Sequence, residues 1–271
     1  MRTENIDIAT CTGSVIDHGA HVMAWEPRDR WPVIFTSAAA VYAEDTAIRG
    51  GVPVCFPWFG PGREPGAPYS HGFARTTPWR QVGNDVTDDV QTVTYRLSGD
   101  DTTDDYWPHR YWALLSARFG ADLTVSLSVT NLDTVPFTYE AALHTYLSVT
   151  DIRQVRIDGL DGVDYVDKTA DGQVRRQEGP VTFTGLTDRV YASPGPVRVV
   201  DSAGGREISV ATSGASRLVV WNPGEEKGSD LPDLGPGEWE KFVCVEAGCV
   251  LDGAVELASG ETHTLSTTIG V

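Results

Sequence analysis

The chain has 271 residues, an apolar content normal for a globular protein, and a formal net charge of −17 from 38 acidic and 21 basic residues. A surface this acidic repels phosphate backbones and anionic lipid, so nucleic acid and membrane-surface partners are disfavoured. An anionic small molecule can bind only in a pocket where a few arginines reverse the field locally. The length fits one large all-β domain or two ordinary domains, and a sizeable core can be buried.

The N-terminal segment and the cysteines indicate the compartment. MRTENIDIATCTG lacks a basic stretch followed by an apolar one, and no apolar run is long enough to cross a bilayer, so we expect neither a signal peptide nor a transmembrane helix. Cys11, Cys55, Cys244 and Cys249 form neither a dense framework nor a zinc pattern. We predict buried free thiols in a reducing cytoplasm, with a disulfide as the alternative.

Alternation of apolar and polar residues recurs along the chain. The clearest segments are rich in Val, Thr, Tyr and Leu: Val90–Leu97, Leu123–Thr130, Val197–Asp201, Glu207–Ala211 and Arg217–Trp221. Helical periodicity is nearly absent; its short candidates, Asp104–His109 and Ser37–Ala40, are interrupted by Pro or flanked by Ser and Thr. Short strands with frequent turns predict an all-β sandwich, and no linker divides residues 1–271, which we predict to be a single domain.

Two arginines lie on segments that glycine and proline shape. Arg49 lies in Ile48–Gly60, IRGGVPVCFPWFG, where glycines permit close backbone approach and prolines stiffen the path. Arg75 ends the segment Ser70–Arg75, SHGFAR. Two guanidiniums on separate loops are suited to a bidentate grip on phosphate. The alternatives are a surface arginine beside a turn for Arg49 and an ion pair with a surface carboxylate for Arg75.

Neighbouring loop residues add candidates for a binding site. His71 can hydrogen-bond a sugar hydroxyl and Phe73 can line the pocket, although His71 can equally cap a loop. The Gly- and Pro-rich stretch Gly50–Pro68 carries aromatic residues, which linkers rarely do, so we predict an ordered loop near a site. Further along, Val220–Gly228, VWNPGEEKG, predicts a turn rich in polar groups.

Three ionisable residues lie in or beside apolar, strand-like runs. His144 lies in EAALHTYLSV, Glu246 follows the apolar run of KFVCVEAG, and Asp188 is flanked by strand residues in TDRVY. A carboxylate at the end of a buried strand is costly unless it is paired or used. Imidazole exchanges protons near neutral pH. The alternatives are a satisfied core histidine for His144 and a carboxylate that reaches solvent for Glu246.

Six of these segments, taken in order, resemble one family. IRGGVPVCFPWFG, SHGFAR, LHTYL, TDRVY, VVWNP with its following EKG, and VCVEAG resemble the aldose 1-epimerase family, and within it the hexose-6-phosphate mutarotase branch. The resemblance runs from about Arg49 to Gly248. Each motif alone is modest evidence, but six in the family's order favour the functional interpretation over the alternatives above.

The resemblance implies a fold and roles for particular residues. It implies a large two-sheet antiparallel β-sandwich of the galactose mutarotase kind, a supersandwich, with His144 and Glu246 as the catalytic pair. It also implies substrate binding by two arginines and recognition of sugar hydroxyls by Asp188, whereas relatives often have a polar amide where this chain has Ser70. The predicted substrate-binding set is Arg49, Ser70, His71, Phe73, Arg75 and Asp188.

The chemistry of mutarotation agrees with this pair. The reaction opens a hemiacetal, rotates the aldehyde and closes the ring on its other face. Opening removes a proton from the anomeric hydroxyl and gives one to the ring oxygen, for which a carboxylate base and an imidazolium acid are sufficient. The reaction requires no metal, nucleotide or redox group, and the chain shows no GxGxxG, Walker or metal-ligand pattern, so we predict no cofactor.

Other functions remain open from the sequence. A mutarotase of free aldoses would use Arg49 and Arg75 for hydroxyls, although paired guanidiniums favour phosphate. A non-catalytic carbohydrate-binding protein on the same fold would not need both His144 and Glu246. A glycosidase could use Asp188 with Glu246 but would leave the histidine unexplained. The sequence predicts a sugar phosphate as the partner, leaves the preferred hexose open, and is compatible with a monomer.

Overall fold

Antiparallel strands make up most of the regular structure in the computed structural model, which describes residues 1–62, 66–99 and 106–271. In chain order the strands are β1 (Thr3–Asp7), β2 (Cys11–Ile16), β3 (His21–Pro27), β4 (Val54–Cys55), β5 (Arg80–Val86), β6 (Gln91–Ser98), β7 (Tyr111–Phe119), β8 (Leu123–Asn131), β9 (Phe137–Tyr139), β10 (Ala141–Leu143), β11 (Tyr146–Ser148), β12 (Val155–Asp158), β13 (Asp164–Asp167), β14 (Gln173–Arg176), β15 (Val181–Thr182), β16 (Thr187–Tyr191), β17 (Val197–Asp201), β18 (Arg206–Ser213), β19 (Arg217–Asn222), β20 (Phe242–Cys249), β21 (Val255–Leu257) and β22 (Thr262–Gly270).

The strands form two large sheets and two small ones. The nine-stranded sheet has the order β15-β12-β17-β18-β22-β8-β7-β6-β5. The eight-stranded sheet has the order β14-β13-β16-β19-β20-β10-β4, with β11 also paired to β20. The small sheets are β1-β2-β3 and β21-β9. Every strand pair among the described residues is antiparallel, so the predicted two-sheet antiparallel β-sandwich is confirmed.

Helical structure is short. The one α-helix in the described ranges is α1, Gly224–Asp230, and 3-10 turns occur at Ala74–Thr76, Ile152–Gln154, Glu238–Lys241 and Leu251–Gly253. Across those same ranges, no helix has the length and apolarity needed to cross a membrane. Neither short helical candidate is confirmed, because Ser37–Ala40 is not helical and Asp104–His109 shows no helix in residues 106–109, its residues 104 and 105 lying outside the described part.

The hydrophobic core lies between the two large sheets. Alternate residues of β8 are buried, and Leu127 joins one apolar cluster with Val245 and Ala247 of β20 on the opposite sheet. Full burial of a side chain such as Leu127 stabilises the folded state by about 1.5–3 kcal/mol relative to leaving it exposed. Because side chains alternate across a strand, Val245 points into this core and Glu246 points to the other face of the eight-stranded sheet. That second face carries the candidate site.

The sequence pattern correctly predicted a regular strand and the state of the cysteines. The alternating segment Val197–Asp201 coincides with β17, and the four cysteines are buried without a disulfide, as predicted. The predicted polar turn at Val220–Gly228 was wrong in part, since the chain enters α1 at Gly224. This helix has seven residues, too few for its periodicity to be readable. In the predicted loop Gly50–Pro68, residues 63–65 lie outside the described part.

Candidate active site

A cavity of about 350 Å³ lies over the face of the eight-stranded sheet that points away from the core. Its lining residues are Arg49, Phe59, Gly60, Pro61, Ser70, His71, Arg75, His144, Lys168, Asp188, Val219, Trp221, Lys227, Leu231 and Glu246. The volume is within the range of small-molecule sites. The structure therefore brings the predicted residues together, with the exception of Phe73.

Glu246 forms part of the cavity floor because of its position in β20. It pairs across the sheet with Val219 of β19, which also lines the cavity. Only 1% of its surface is exposed, so the alternative of a carboxylate reaching solvent is wrong. Its Oε2 atom is buried and has no hydrogen-bond partner among the described residues. A buried carboxylate with an unsatisfied oxygen is costly, and this is typical of a functional group.

His144 lies where a strand paired with β20 is interrupted. Strand β10 ends at Leu143 and β11 begins at Tyr146, so His144 falls in the gap, where its N–H donates to the Pro53 carbonyl at 3.0 Å. Its ring stacks on Tyr146, with centroids 4.9 Å apart. The Nε2 atom lies 3.3 Å from Oε1 of Glu246. The side chain is 12% exposed and faces the cavity rather than the core.

Burial disfavours the charged form of both residues. It lowers the pKa of His144 well below its usual value, and His71 and the positive charge of Arg75 add to the effect. Burial also raises the pKa of Glu246 well above its usual value, and the negative charge of Asp188 adds to that effect. The imidazolium of His144 is therefore a strong acid, and the carboxylate of Glu246 is a strong base.

A buried histidine, His21, supports the loop that carries Arg49 through a hydrogen bond to its backbone. Gly50 and Gly51 follow with φ of 108° and 67°, values that favour glycine. His21 donates from Nε2 to the Gly50 carbonyl at 2.9 Å, and burial lowers the pKa of its imidazole to about 3. An added methyl group on Gly51 would overlap the His21 ring and the Val22 carbonyl. Glycine is therefore required at Gly51 for the loop to reach this position.

The Arg49 guanidinium is already paired with a carboxylate that the sequence did not reveal. Its Nε and Nη2 atoms donate to the two oxygens of Asp233, at 3.2 and 3.1 Å, and Nη1 donates to the Tyr146 hydroxyl at 3.1 Å. Burial alone would lower the pKa of Arg49, but Tyr146 and Asp233 raise it above its usual value. Arg49 is thus a fixed cation at the cavity wall, with most of its donors in use.

The SHGFAR segment places two polar side chains at the cavity. The Nδ1 atom of His71 accepts from the Gly60 N–H at 3.2 Å, which leaves the ring proton on Nε2. Burial and the nearby charges of Arg75 and Lys168 lower the pKa of His71 to about 3, so the ring stays neutral and Nε2–H is a donor. Arg75 donates from Nη2 to the Ser70 carbonyl at 2.8 Å, while its buried Nε has no partner among the described residues.

Asp188 and the neighbouring Lys168 also line the cavity. The Lys168 Nζ atom lies 3.2 Å from Oδ2 of Asp188 and 5.2 Å from the centre of the Phe59 ring. Asp188 pairs in the sheet with Trp221, whose ring also lines the cavity. Lys168 follows β13 in a turn and has no sequence signal that separates it from a surface lysine.

The prediction that Phe73 lines the pocket was wrong. Its side chain is 4% exposed and packs edge-on against Phe56 and Trp58 in the core. The aromatic residue at the cavity is Phe59, whose ring meets His71 edge-on at 4.8 Å. In an irregular loop no fixed periodicity relates sequence position to side-chain direction, so the sequence could not distinguish the two phenylalanines.

Other residues at the cavity were missed as well. Lys227 lies in α1, in the segment predicted as a turn, and Asp233 follows that helix as the partner of Arg49. Cys244 lies close to both His144 and Glu246: one ring nitrogen of His144, the Sγ atom of Cys244 and one carboxylate oxygen of Glu246 all lie within 4.8 Å of one another. In the part of the chain that is described, no other His, Cys, Asp or Glu residues form a group with metal-binding spacing.

Known proteins similar to this chain identify its family. A family model for aldose 1-epimerase matches residues 5–270. A relative from Escherichia coli K12, named "Putative glucose-6-phosphate 1-epimerase", is 36% identical over 84% of this chain and 76% of its own length. A relative with the same name from Cenchrus ciliaris is 32% identical over 93% of this chain and 78% of its own length.

Solved structures show the same fold. The crystal structure of a "putative mutarotase" from Salmonella typhimurium has a TM-score of 0.91 and 30% identity, covering 99% of this chain and 89% of that one. A galactose mutarotase-like protein from Lactobacillus casei, at 16% identity and a TM-score of 0.77, shares the fold over 99% of both chains. This chain therefore belongs to the aldose 1-epimerase family and is an epimerase of the isomerase class.

Proposed function

We propose that the protein interconverts the α and β anomers of a hexose 6-phosphate, of the glucose 6-phosphate type. The observation that carries the proposal is the 3.3 Å separation of His144 Nε2 and Glu246 Oε1 at a cavity that also contains Arg49 and Arg75. An acid and a base at one end, with guanidiniums at the wall, match a substrate that has an anomeric centre and a dianion. The names of the relatives support the same substrate class.

The two proton transfers define the mechanism. Glu246, as carboxylate, takes the proton of the anomeric hydroxyl, and His144, as imidazolium, protonates the ring oxygen as the bond from C1 to that oxygen breaks. The free aldehyde rotates about the C1–C2 bond and presents its other face. On closure, His144 removes the proton from the former ring oxygen and Glu246 returns one to the aldehyde oxygen.

The catalytic pair carries one proton throughout this cycle. Before opening, the proton is on His144; after opening, it is on Glu246. Burial lowers the pKa of the imidazole and raises that of the carboxyl, so both transfers of the opening step move toward the protonation state that the buried site favours. Closure reverses them, and no proton need be exchanged with solvent during one turnover.

The phosphate binds, in this proposal, to Arg75 and Arg49. Arg75 lines the cavity, and among the described residues its guanidinium bonds the Ser70 carbonyl while its buried Nε has no partner, so it has donors left for a charge-assisted hydrogen bond to phosphate. Asp233 and Tyr146 orient Arg49 but also use most of its donors. Lys227 of α1 is exposed and also lines the cavity, where it adds a positive charge.

Sugar hydroxyls contact the remaining polar residues. His71 donates from Nε2, as its hydrogen bond from Gly60 requires, and Asp188 accepts. Ser70 lines the cavity and can give or accept one hydrogen bond. Phe59, in place of the predicted Phe73, gives the sugar an apolar surface.

One observation favours a second candidate, a mutarotase of unphosphorylated aldoses. Because Asp233 neutralises Arg49, the cavity offers a dianion less attraction than two free guanidiniums would. In that case Arg49 and Arg75 bind hydroxyls, and the chemistry of His144 and Glu246 is unchanged.

The chain is proposed to act as a single domain in the cytoplasm. The family model spans residues 5–270, and side chains from both large sheets share one core cluster. The four cysteines are free thiols, as is usual in a reducing compartment.

The decisive experiment measures anomer interconversion by NMR exchange with glucose 6-phosphate, galactose 6-phosphate and free glucose. We expect kcat/KM for a hexose 6-phosphate to exceed that for free glucose by about 10-fold or more, since one charge-assisted contact is worth at least about 1.5 kcal/mol. Equal values for phosphorylated and free sugars would favour the second candidate. No exchange with any of the three would reject the mutarotase proposal.

A further inference from the structure

Cys244 has no role in the proposed proton transfers, yet it lies beside both groups that carry them. It precedes Glu246 by two positions in β20, so the two side chains lie on the same face of the strand. Across the sheet it pairs with Tyr146 on one side and with Trp221 on the other, and these rings flank His144. The thiol is completely buried.

The distances fit a tetrahedral ion. Zinc bonds of about 2.0–2.1 Å to nitrogen and oxygen place two ligand atoms about 3.3 Å apart at a tetrahedral angle. His144 Nε2 and Glu246 Oε1 are separated by 3.3 Å. With a bond of about 2.3 Å to sulfur, the thiolate would lie about 3.6 Å from each of them. One ligand atom from each of the three residues lies within 4.8 Å of the other two, so small side-chain rotations are enough to bring all three atoms to metal-binding distance.

An unsatisfied carboxylate oxygen and charge balance also favour a cation here. Oε2 of Glu246 is buried without a hydrogen-bond partner among the described residues, and a cation held by this carboxylate would offset its charge. A thiolate and a carboxylate cancel the two charges of a divalent ion, so the ion and its ligands form a neutral assembly that can be buried. Two of the surrounding cations are already offset, since Arg49 pairs with Asp233 and Lys168 pairs with Asp188.

The ligand set selects the kind of metal. A sulfur, a nitrogen and an oxygen donor suit Zn²⁺, whereas Mg²⁺ and Ca²⁺ prefer oxygen alone. His144 and Glu246 line the cavity, so an ion can enter from the cavity and direct its fourth coordination site toward it. Binding transfers the thiol proton to solvent as the zinc–sulfur bond forms.

We propose that His144, Cys244 and Glu246 form a reversible inhibitory site for a thiophilic divalent cation of the Zn²⁺ type. A bound ion occupies the lone pairs that the sugar needs for its proton transfers, so the metal and the substrate exclude each other. The inhibitory effect rests on the proposed mutarotase function, whereas the binding of the ion does not.

The test begins with direct binding to the purified chain after treatment with a chelator. Co²⁺ should produce a thiolate-to-cobalt charge-transfer band in the near ultraviolet, and Zn²⁺ should abolish it by displacement. Cys244→Ser and Cys244→Ala should lose the band, with folding checked by circular dichroism. Cys249→Ser is the matched control: it lies in the same strand, its thiol donates to the Gly214 carbonyl as a hydroxyl also can, and it should keep the band.

Activity provides the second measurement. Zn²⁺ should inhibit anomer exchange by the unaltered chain, EDTA should restore it, and the inhibiting concentration should rise at least about 10-fold in either Cys244 variant, compared with that variant's own metal-free rate. No cobalt band, or a band that survives in the folded Cys244 variants, would overturn the metal site. A band that depends on Cys244 in a chain without metal-free anomer exchange would instead reject the proposed function and leave the metal site standing.

Discussion

His144 Nε2 lies 3.3 Å from Glu246 Oε1 because two separate strand segments pair with one continuous strand. Strands β10 and β11 both pair with β20 in the same register, from Leu143 opposite Ala247 to Tyr146 opposite Cys244, so His144 in the gap between them lies opposite Glu246. The sheet thus sets the distance between the imidazole and the carboxylate, and burial lowers the pKa of the first and raises the pKa of the second.

Replacing either member of this pair should remove proton transfer without unfolding the protein. His144→Asn and Glu246→Gln keep nearly the same shape, so substrate binding should change little. We expect kcat to fall by about 10²–10⁴-fold in each, the usual contribution of a positioned acid or base. NMR exchange at saturating substrate measures kcat, and titration of a hexose phosphate measures binding. Near-normal turnover in either folded variant would contradict the assignment.

The pH dependence should report the single proton that the pair shares. The active form is the singly protonated pair: in the free site burial favours its proton on Glu246, and ring opening begins from the form with that proton on His144. The pair loses the shared proton at high pH and gains a second one at low pH. We therefore expect a bell-shaped pH profile of kcat/KM. The acidic limb should lie below about pH 6.5, because burial lowers the pKa of His144 from its usual value. The alkaline limb should lie above about pH 4.5, because burial raises the pKa of Glu246 from its usual value.

Two neighbouring charges should move the alkaline limb in opposite directions. Asp188 raises the pKa of Glu246 and Lys168 lowers it. Asp188→Asn should therefore shift this limb to lower pH, and Lys168→Met should shift it to higher pH. The position of the limb, rather than the rate, is the readout, since Asp188 is also proposed to bind the sugar. Shifts of the same sign would show that the limb does not report Glu246.

Arg75→Ala should separate phosphate binding from sugar binding. Its place at the cavity, with a guanidinium that still has donors unused among the described residues, favours a charge-assisted contact worth about 1.5–3 kcal/mol. We expect kcat/KM for a hexose 6-phosphate to fall about 10- to 150-fold and that for free glucose to fall much less. An equal loss for both substrates would reject the phosphate role. Arg75→Lys, which keeps the charge but not the planar donor pair, should recover only part of the loss.

Gly51→Ala should destabilise the loop that carries Arg49. The residue has a φ of 67°, and the new methyl group would overlap the His21 ring and the Val22 carbonyl. Gly237→Ala is the matched control, because Gly237 has a φ of 73° but no atom within 4 Å of an added Cβ. The control should cost about 1–2 kcal/mol from backbone strain alone, and Gly51→Ala should cost clearly more. Thermal unfolding compares them; equal losses of Tm would contradict the steric explanation.

The local residue pattern was sufficient to predict structure wherever a segment forms one regular strand. The alternation in Val197–Asp201 predicted β17, because a strand with one buried face must alternate. The lack of helical periodicity excluded long helices. The seven-residue helix α1 was mistaken for a turn because it contains two glycines and spans barely two turns.

The sequence by itself determined the antiparallel sandwich, the family and most of the candidate site. Strand alternation and the family's motifs are local features, so they can be recognised from short runs of consecutive residues. Only the tertiary structure decided which partners meet: Arg49 is neutralised by Asp233, 184 residues away, and Cys244 lies within reach of His144. It also decided that Phe59 rather than Phe73 faces the cavity. The physical reason is that charge pairing, burial and pKa depend on distances across the sheet and between loops, and no local periodicity encodes those distances.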